Sequence, residues 1–245
     1  MNENIHNYAL NVQLSFAAYA DFENIDPLNF NAFFFQLTSK DLLDPPMSEA
    51  QALSFLGLKR LEDGSLELVE GTWFELIHHQ PNTPSGFSAT VFRNRETGEY
   101  HFAIRGTTIT DIGDLINDVN AVLSGGADDQ IISMLNYYMQ LITPTNDMAT
   151  QVVPIVTEEG TTYTTTTVNG LGKLDPTTPL NVTGHSLGGH LADAFIKAFP
   201  IIGNTATEAY TYNGLGVGSG LDNLLNQVAN LYGKKGSESF NLMEG

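Results

Sequence analysis

Apolar positions recur at helical spacing from Tyr8 to Phe22, with the small residues Ala17, Ala18 and Ala20 among them, and predict an N-terminal helix. Phe30, Phe33, Phe34 and Phe35 form an aromatic cluster that reads as core packing. Ser48 to Gly57 reads as a short helix with Gly57 near its C-cap. The period then changes. Phe87 to Phe92 and Tyr100 to Ile104 are rich in β-formers and flank a Gly-bearing turn at 94–99, which predicts a hairpin. After Arg105-Gly106-Thr107-Thr108 an amphipathic run covers Asp111 to Leu123. Asp128 to Leu141 is a further helix, with Ile131, Ile132, Leu135, Tyr138 and Met139 on or near one face.

Residues 143–179 change character. They carry Pro144, Pro154, Pro176 and Pro179 and the run Thr161-Thr162-Tyr163-Thr164-Thr165-Thr166-Thr167, and read as an insertion, in the form of a β-hairpin, within a single domain. Leu180 to Thr183 is a short strand that runs into Gly184-His185-Ser186-Leu187-Gly188, followed by a helix to about Phe199. Ala209 to Tyr212 is the next strand, Leu221 to Leu231 a helix, and Ser239 to Met243 a last strand. Strands alternating with helices predict an α/β fold with a mostly parallel sheet and helices on both faces.

Composition narrows the function classes. The chain has 245 residues, room for one large α/β domain. It carries 28 acidic against 10 basic residues, a net charge of −18. That balance argues against nucleic acid, which needs clustered Lys and Arg, and against a basic patch on anionic lipid. Cysteine is absent, so disulfides, thiolate metal sites and a Cys nucleophile are excluded. No D-x-D-x-D-G calcium loop occurs, and neither a metal nor a cofactor is expected. The N-terminus lacks the basic and apolar regions of a signal peptide, and no apolar run reaches the length of a membrane span. A soluble protein is expected. Cytoplasmic residence and export by a signal-independent route are both compatible with this sequence, which does not set the oligomeric state.

Gly184-His185-Ser186-Leu187-Gly188 matches G-x-S-x-G between a strand and a helix. So sharp a turn forces Ser186 into a strained backbone, and side chains two residues to either side would collide. Gly184 and Gly188 remove those collisions, and Gly189 lets the helix pack closely. The helix N-terminus then offers oriented N–H groups beside the Ser186 hydroxyl, with Leu187 N–H the natural first donor to an oxyanion. A second donor comes from the loop after an earlier strand, and Ile104-Arg105-Gly106-Thr107 has that form.

Together, Ala103-Ile104-Arg105-Gly106-Thr107 and Val182 to Ala192 resemble the lipase class 3 family of α/β-hydrolases. The resemblance runs from about Tyr8 to the end, with the Thr-rich stretch outside it. It implies that Thr107 lends its backbone N–H, and its hydroxyl, to the oxyanion hole. An acidic residue on the following helix would orient that hydroxyl, Asp118 first and Asp114 second; the other reading makes Asp111 a helix cap and leaves both solvated. The same helix resembles the family's mobile lid, with Ile112, Leu115, Ile116 and Val119 facing substrate; in a rigid enzyme these four would be core.

A serine nucleophile needs a base and an acid, which in this fold follow it in the order Ser, Asp or Glu, His. The one downstream histidine is His190, four residues on in the same helix and aimed along it. His185 lies inside the turn and is expected to pack or hydrogen-bond beneath it. The resemblance puts the acid just after the strand at 240–243, where Glu244 is the last candidate. The chain therefore reads as a fragment whose triad Asp and His follow residue 245. The leading expectation is a serine esterase of triacylglycerol or phospholipid; the alternatives are an inactive lipase-like binding module and a hydrolase of another ester or amide bond.

Overall fold

The computed structural model describes residues 3–26, 29–40, 46–69, 73–106, 127–202, 208–212, 214 and 220–232. The run 111–123, with Thr107, Asp114 and Asp118, and the expected strand at 239–243 lie outside them.

Helix α1 (Glu3–Ala17) starts earlier than its apolar period suggests and ends sooner. Its exit tightens into i→i+3 bonds, Tyr19 N–H to Phe16 O and Ala20 N–H to Ala17 O. Helix α2 (Phe30–Thr38) is capped by the Asn29 side chain. In helix α3 (Glu49–Leu56), Ser48 and Gln51 exchange bonds in a capping box. Gly57 ends α3 at φ +62°, and a Cβ there would also meet Trp73 Cβ at 2.5 Å.

Strands β1 (Leu58–Arg60) and β2 (Leu66–Leu68) form a small antiparallel ribbon. The central sheet holds β3 (Phe74–Gln80), β4 (Ala89–Asn94), β5 (Tyr100–Ile104), β8 (Leu180–His185) and β9 (Glu208–Tyr212), in that spatial order. The β3–β4 and β4–β5 pairings are antiparallel, whereas β5–β8 and β8–β9 are parallel. The sheet is thus mixed rather than mostly parallel among the described residues. The odd strand is β4, which runs against β3, β5, β8 and β9; β3, which the hydrophobic pattern did not announce, adds a second antiparallel pairing at the edge.

Period-2 alternation sends neighbouring side chains into two cores. Ala89, Val91, Phe102, Ile104, Leu180 and Val182 face helices α4 (Ala127–Ile142), α5 (Leu187–Ile202) and α6 (Gly220–Ala229). Phe74, Leu76, Phe92 and Ala103 face α1, α2 and α3. Helices therefore cover both faces of the sheet. On the first side Phe195 of α5 packs edge-on against Tyr138 at 5.2 Å and tilted against Phe102 at 5.0 Å. Burying one such ring is worth roughly 1.5–3 kcal/mol.

Strands β6 (Met148–Thr157) and β7 (Gly160–Asn169) make an antiparallel ribbon separate from the central sheet. Ala149 and Val152 root it in the core, while Val156 near its tip is 79% exposed. Asn136 of α4 grips the root, donating to Val152 O at 2.8 Å and accepting from Val152 N–H at 2.7 Å. No helix of the described residues is long and apolar enough to cross a membrane.

Candidate active site

The parallel register aligns the C-terminal ends of three strands, pairing Ile104 with Gly184 and Gly184 with Thr211. In α/β sheets that edge is where ligands bind. The chain leaves β8 there and turns at once into α5. Ser186 makes the turn with φ +56°, and the other positive-φ non-glycine among the described residues is Asn24, at φ +62° in a surface turn. A side chain held in this region costs on the order of 1–3 kcal/mol, so the surrounding packing must impose it.

The glycines show how. A Cβ on Gly184 would run into the Gly188 carbonyl and meet Gly189 N at 2.8 Å. One on Gly189 would crowd Gly214 Cα, just past β9, at 3.1 Å. Ser186 N–H donates to Tyr212 O at 2.8 Å, tying the turn to β9, and Ser186 O accepts from Gly189 N–H at 2.9 Å to open the helix. Ser186 itself is half-buried, and Leu187 is buried at the head of α5. N–H groups in the first turn of a helix have no intrahelical acceptor, so those of Leu187 and Gly188 are oriented donors.

The loop leaving β5 lies directly against this turn. A Cβ on Gly188 would strike Ile104 O and meet Gly106 N at 2.9 Å and Arg105 C at 3.0 Å. From the other side, a Cβ on Gly106 would strike His185 O and meet the Tyr19 hydroxyl at 2.5 Å. Two backbones thus touch where the sequence expects an oxyanion loop and a nucleophile to meet. Thr107 is the next residue along and lies outside the described residues, as do Asp118 and Asp114.

The histidines divide clearly. His185 Nδ1 lies 3.3 Å from the Tyr19 hydroxyl, its ring stacks on Phe16, and partial burial lowers its pKa. That is the packing role expected beneath the turn. His190 is buried near Asp128 and Asp193; burial raises the pKa of both carboxyls, and the neighbouring His190 charge partly offsets the rise. His78 bonds the Tyr137 hydroxyl at 2.9 Å. His79 bonds Thr90 Oγ1 at 2.8 Å and Asp21 at 3.2 Å. His101 is sealed in the core. Burial lowers both His79 and His101 to about 4.

Residues to which the sequence assigned no role of their own also reach the site. Arg105 donates to Asn82 Oδ1, and its backbone N–H to Ser88 O at 3.0 Å, which fixes the start of the loop. Burial lowers the Arg105 pKa, partly offset by Asp21 and Tyr19. Tyr19 itself is a lone aromatic among alanines at the end of an apolar run, and that break in pattern was its only sequence signal. Among the described residues, no cluster of three or more His, Asp or Glu is placed to hold a metal.

No family model and no curated protein matches the chain. Among solved structures, the Lip2 lipase from Yarrowia lipolytica overlaps 91% of this chain and 64% of its own, with a TM-score of 0.45 and 16% identity. The M37 lipase overlaps 91% and 65%, with a TM-score of 0.39 and 15% identity. The chain spans less than two thirds of either lipase. Similarity this distant carries no weight for fold or activity, and the α/β assignment rests on the chain's own sheet and two cores.

Proposed function

We propose that the chain is a serine hydrolase that cleaves lipid carboxylic esters through an acyl-enzyme, with Ser186 as its nucleophile. Ser186 Oγ attacks the ester carbonyl, forming the C–O bond of a tetrahedral intermediate. Leu187 N–H and Thr107 N–H hold the oxyanion, and Asp118 orients the Thr107 hydroxyl. The alcohol leaves with a proton, and water then hydrolyses the acyl-Ser186 ester to release the acid. The observation that carries the reading is a strained Ser186 at φ +56° heading α5, with the Gly106 loop packed on Gly188. The lipid substrate rests on the resemblance of the two motifs to lipase class 3.

Among the described side chains the histidines are committed elsewhere. No histidine follows His190 in the chain, and those at 78, 79, 101 and 185 are held by Tyr137, by Asp21 and Thr90, by the core and by Tyr19. The chain's reading as a binding module without turnover is favoured by the same commitment of histidines. Hydrolysis of p-nitrophenyl esters of rising chain length, compared with Ser186→Ala, separates the two. Turnover that rises with acyl length and vanishes in Ser186→Ala supports the hydrolase; turnover indifferent to the substitution refutes the nucleophile.

A further inference from the structure

Tyr19 stands where the two backbone segments of the proposed site meet. Its hydroxyl lies against the Gly106 backbone, where a Cβ would meet it at 2.5 Å, and 3.3 Å from His185 Nδ1. One phenol therefore joins the residue before Thr107 to the residue before Ser186.

The rest of the arrangement holds that phenol still. Thr183 Oγ1 donates to Asn11 O at 3.1 Å, and the Tyr212 hydroxyl donates to Tyr8 O at 2.9 Å, which clamp α1 onto β8 and β9. Tyr19 follows two residues past the end of α1, with its N–H bonded to Phe16 O at 3.1 Å. Phe16 in turn stacks on the His185 ring, 6.4 Å between centroids with planes at 25°. The Gly106 backbone approaches the phenol and the nucleophile turn too closely for any side chain.

We propose that Tyr19 is a positioning residue, which pins the Gly106 loop to the nucleophile turn through its hydroxyl and so sets the spacing of the donors on the two segments. This inference rests on Ser186 being the nucleophile. It adds a residue whose contact is with the scaffold of the site and whose effect falls on turnover rather than on substrate binding.

Tyr19→Phe keeps the ring and removes the bridge. In the full chain with p-nitrophenyl butyrate, kcat should fall about tenfold, because small misplacements of reacting groups cost up to about a hundredfold. KM should hold within a factor of about two. His185→Leu should lose rate comparably, and His185→Asn, whose amide keeps a hydrogen-bonding group near the Nδ1 position, should recover most of it. In the Tyr19→Phe/His185→Leu double variant the two losses should not multiply, since both break one link. Unimpaired kcat in Tyr19→Phe, a rise in KM at constant kcat, or multiplying losses would each overturn the bridge. If Tyr19→Phe does not fold by circular dichroism, the His185 pair decides: equal rates for Asn and Leu overturn it. Ser186→Ala run alongside keeps the two ideas apart. Hydrolysis surviving in Ser186→Ala sinks the nucleophile, whereas its loss there with Tyr19→Phe unaffected sinks the bridge alone.

Discussion

Replacing Gly188 by Ala adds one methyl at the contact between the nucleophile turn and the Gly106 loop. The new Cβ would sit 2.9 Å from Gly106 N and 3.0 Å from Arg105 C, with Ile104 O nearer still. Ordinary contact begins near 3.4 Å, so these backbone atoms must retreat by about half an ångström or more. They are poorly placed to do so. Ile104 is hydrogen-bonded within β4–β5–β8, and Arg105 N–H is bonded to Ser88 O. Overpacking of this kind costs about 1–3 kcal/mol, which in a domain of this size lowers Tm by roughly 2–12 °C. Separating the segments should cost more in rate than in stability, up to about a hundredfold in kcat for displacements approaching 1 Å. The assay is kcat and KM on p-nitrophenyl butyrate beside a thermal melt of the same preparation. A variant with wild-type Tm and wild-type kcat would refute the close packing of the two segments.

Three further outcomes follow from the same geometry. Gly184→Ala, whose Cβ would collide with the Gly188 carbonyl, should fail to fold or lose at least about 3 kcal/mol; a melt matching wild type contradicts the turn. His101 is neutral and buried with its pKa lowered to about 4, against 6.5 ordinarily, so its contribution is complete above pH 6.5 and is lost as pH falls toward 4. The loss approaches about 1.4 kcal/mol per pH unit, and His101→Phe should gain on wild type in urea melts as pH drops from 6.5 to 4; a pH-independent difference would contradict this. Asn136→Leu strips both Val152 backbone partners and the Tyr232 hydroxyl's acceptor, for a loss of about 2–4 kcal/mol, with faster hydrogen exchange at Val152; unchanged exchange would show that Asn136 does not anchor the ribbon.

Local patterns were legible where local physics sets them. The strands at 89–94 and 100–104 alternate and flank a turn closed by Gly98 at φ +77°, so their pairing can be read from the chain. Ser48, Gln51 and Gly57 bound their helix by caps that act within a few residues. Strand β3 was invisible because a bulge between Leu76 and His78 breaks its alternation. Its half-buried histidines also found distant partners, His78 in Tyr137 and His79 in Asp21. Without β3 the sheet read as mostly parallel, although the structure is mixed. The glycines around Ser186 were readable for the same reason as the caps. The Tyr19–His185 contact was not, since 166 positions separate its partners and only the docking of α1 onto β8 brings them together.

The most direct test of Ser186 as a nucleophile is covalent capture. The folded chain, incubated for an extended time with a lipid-like fluorophosphonate and digested, should carry the phosphonyl group on the peptide holding Ser186, with none after heat unfolding or in Ser186→Ala. An adduct on another serine, or equal labelling of folded and unfolded chain, would contradict the account.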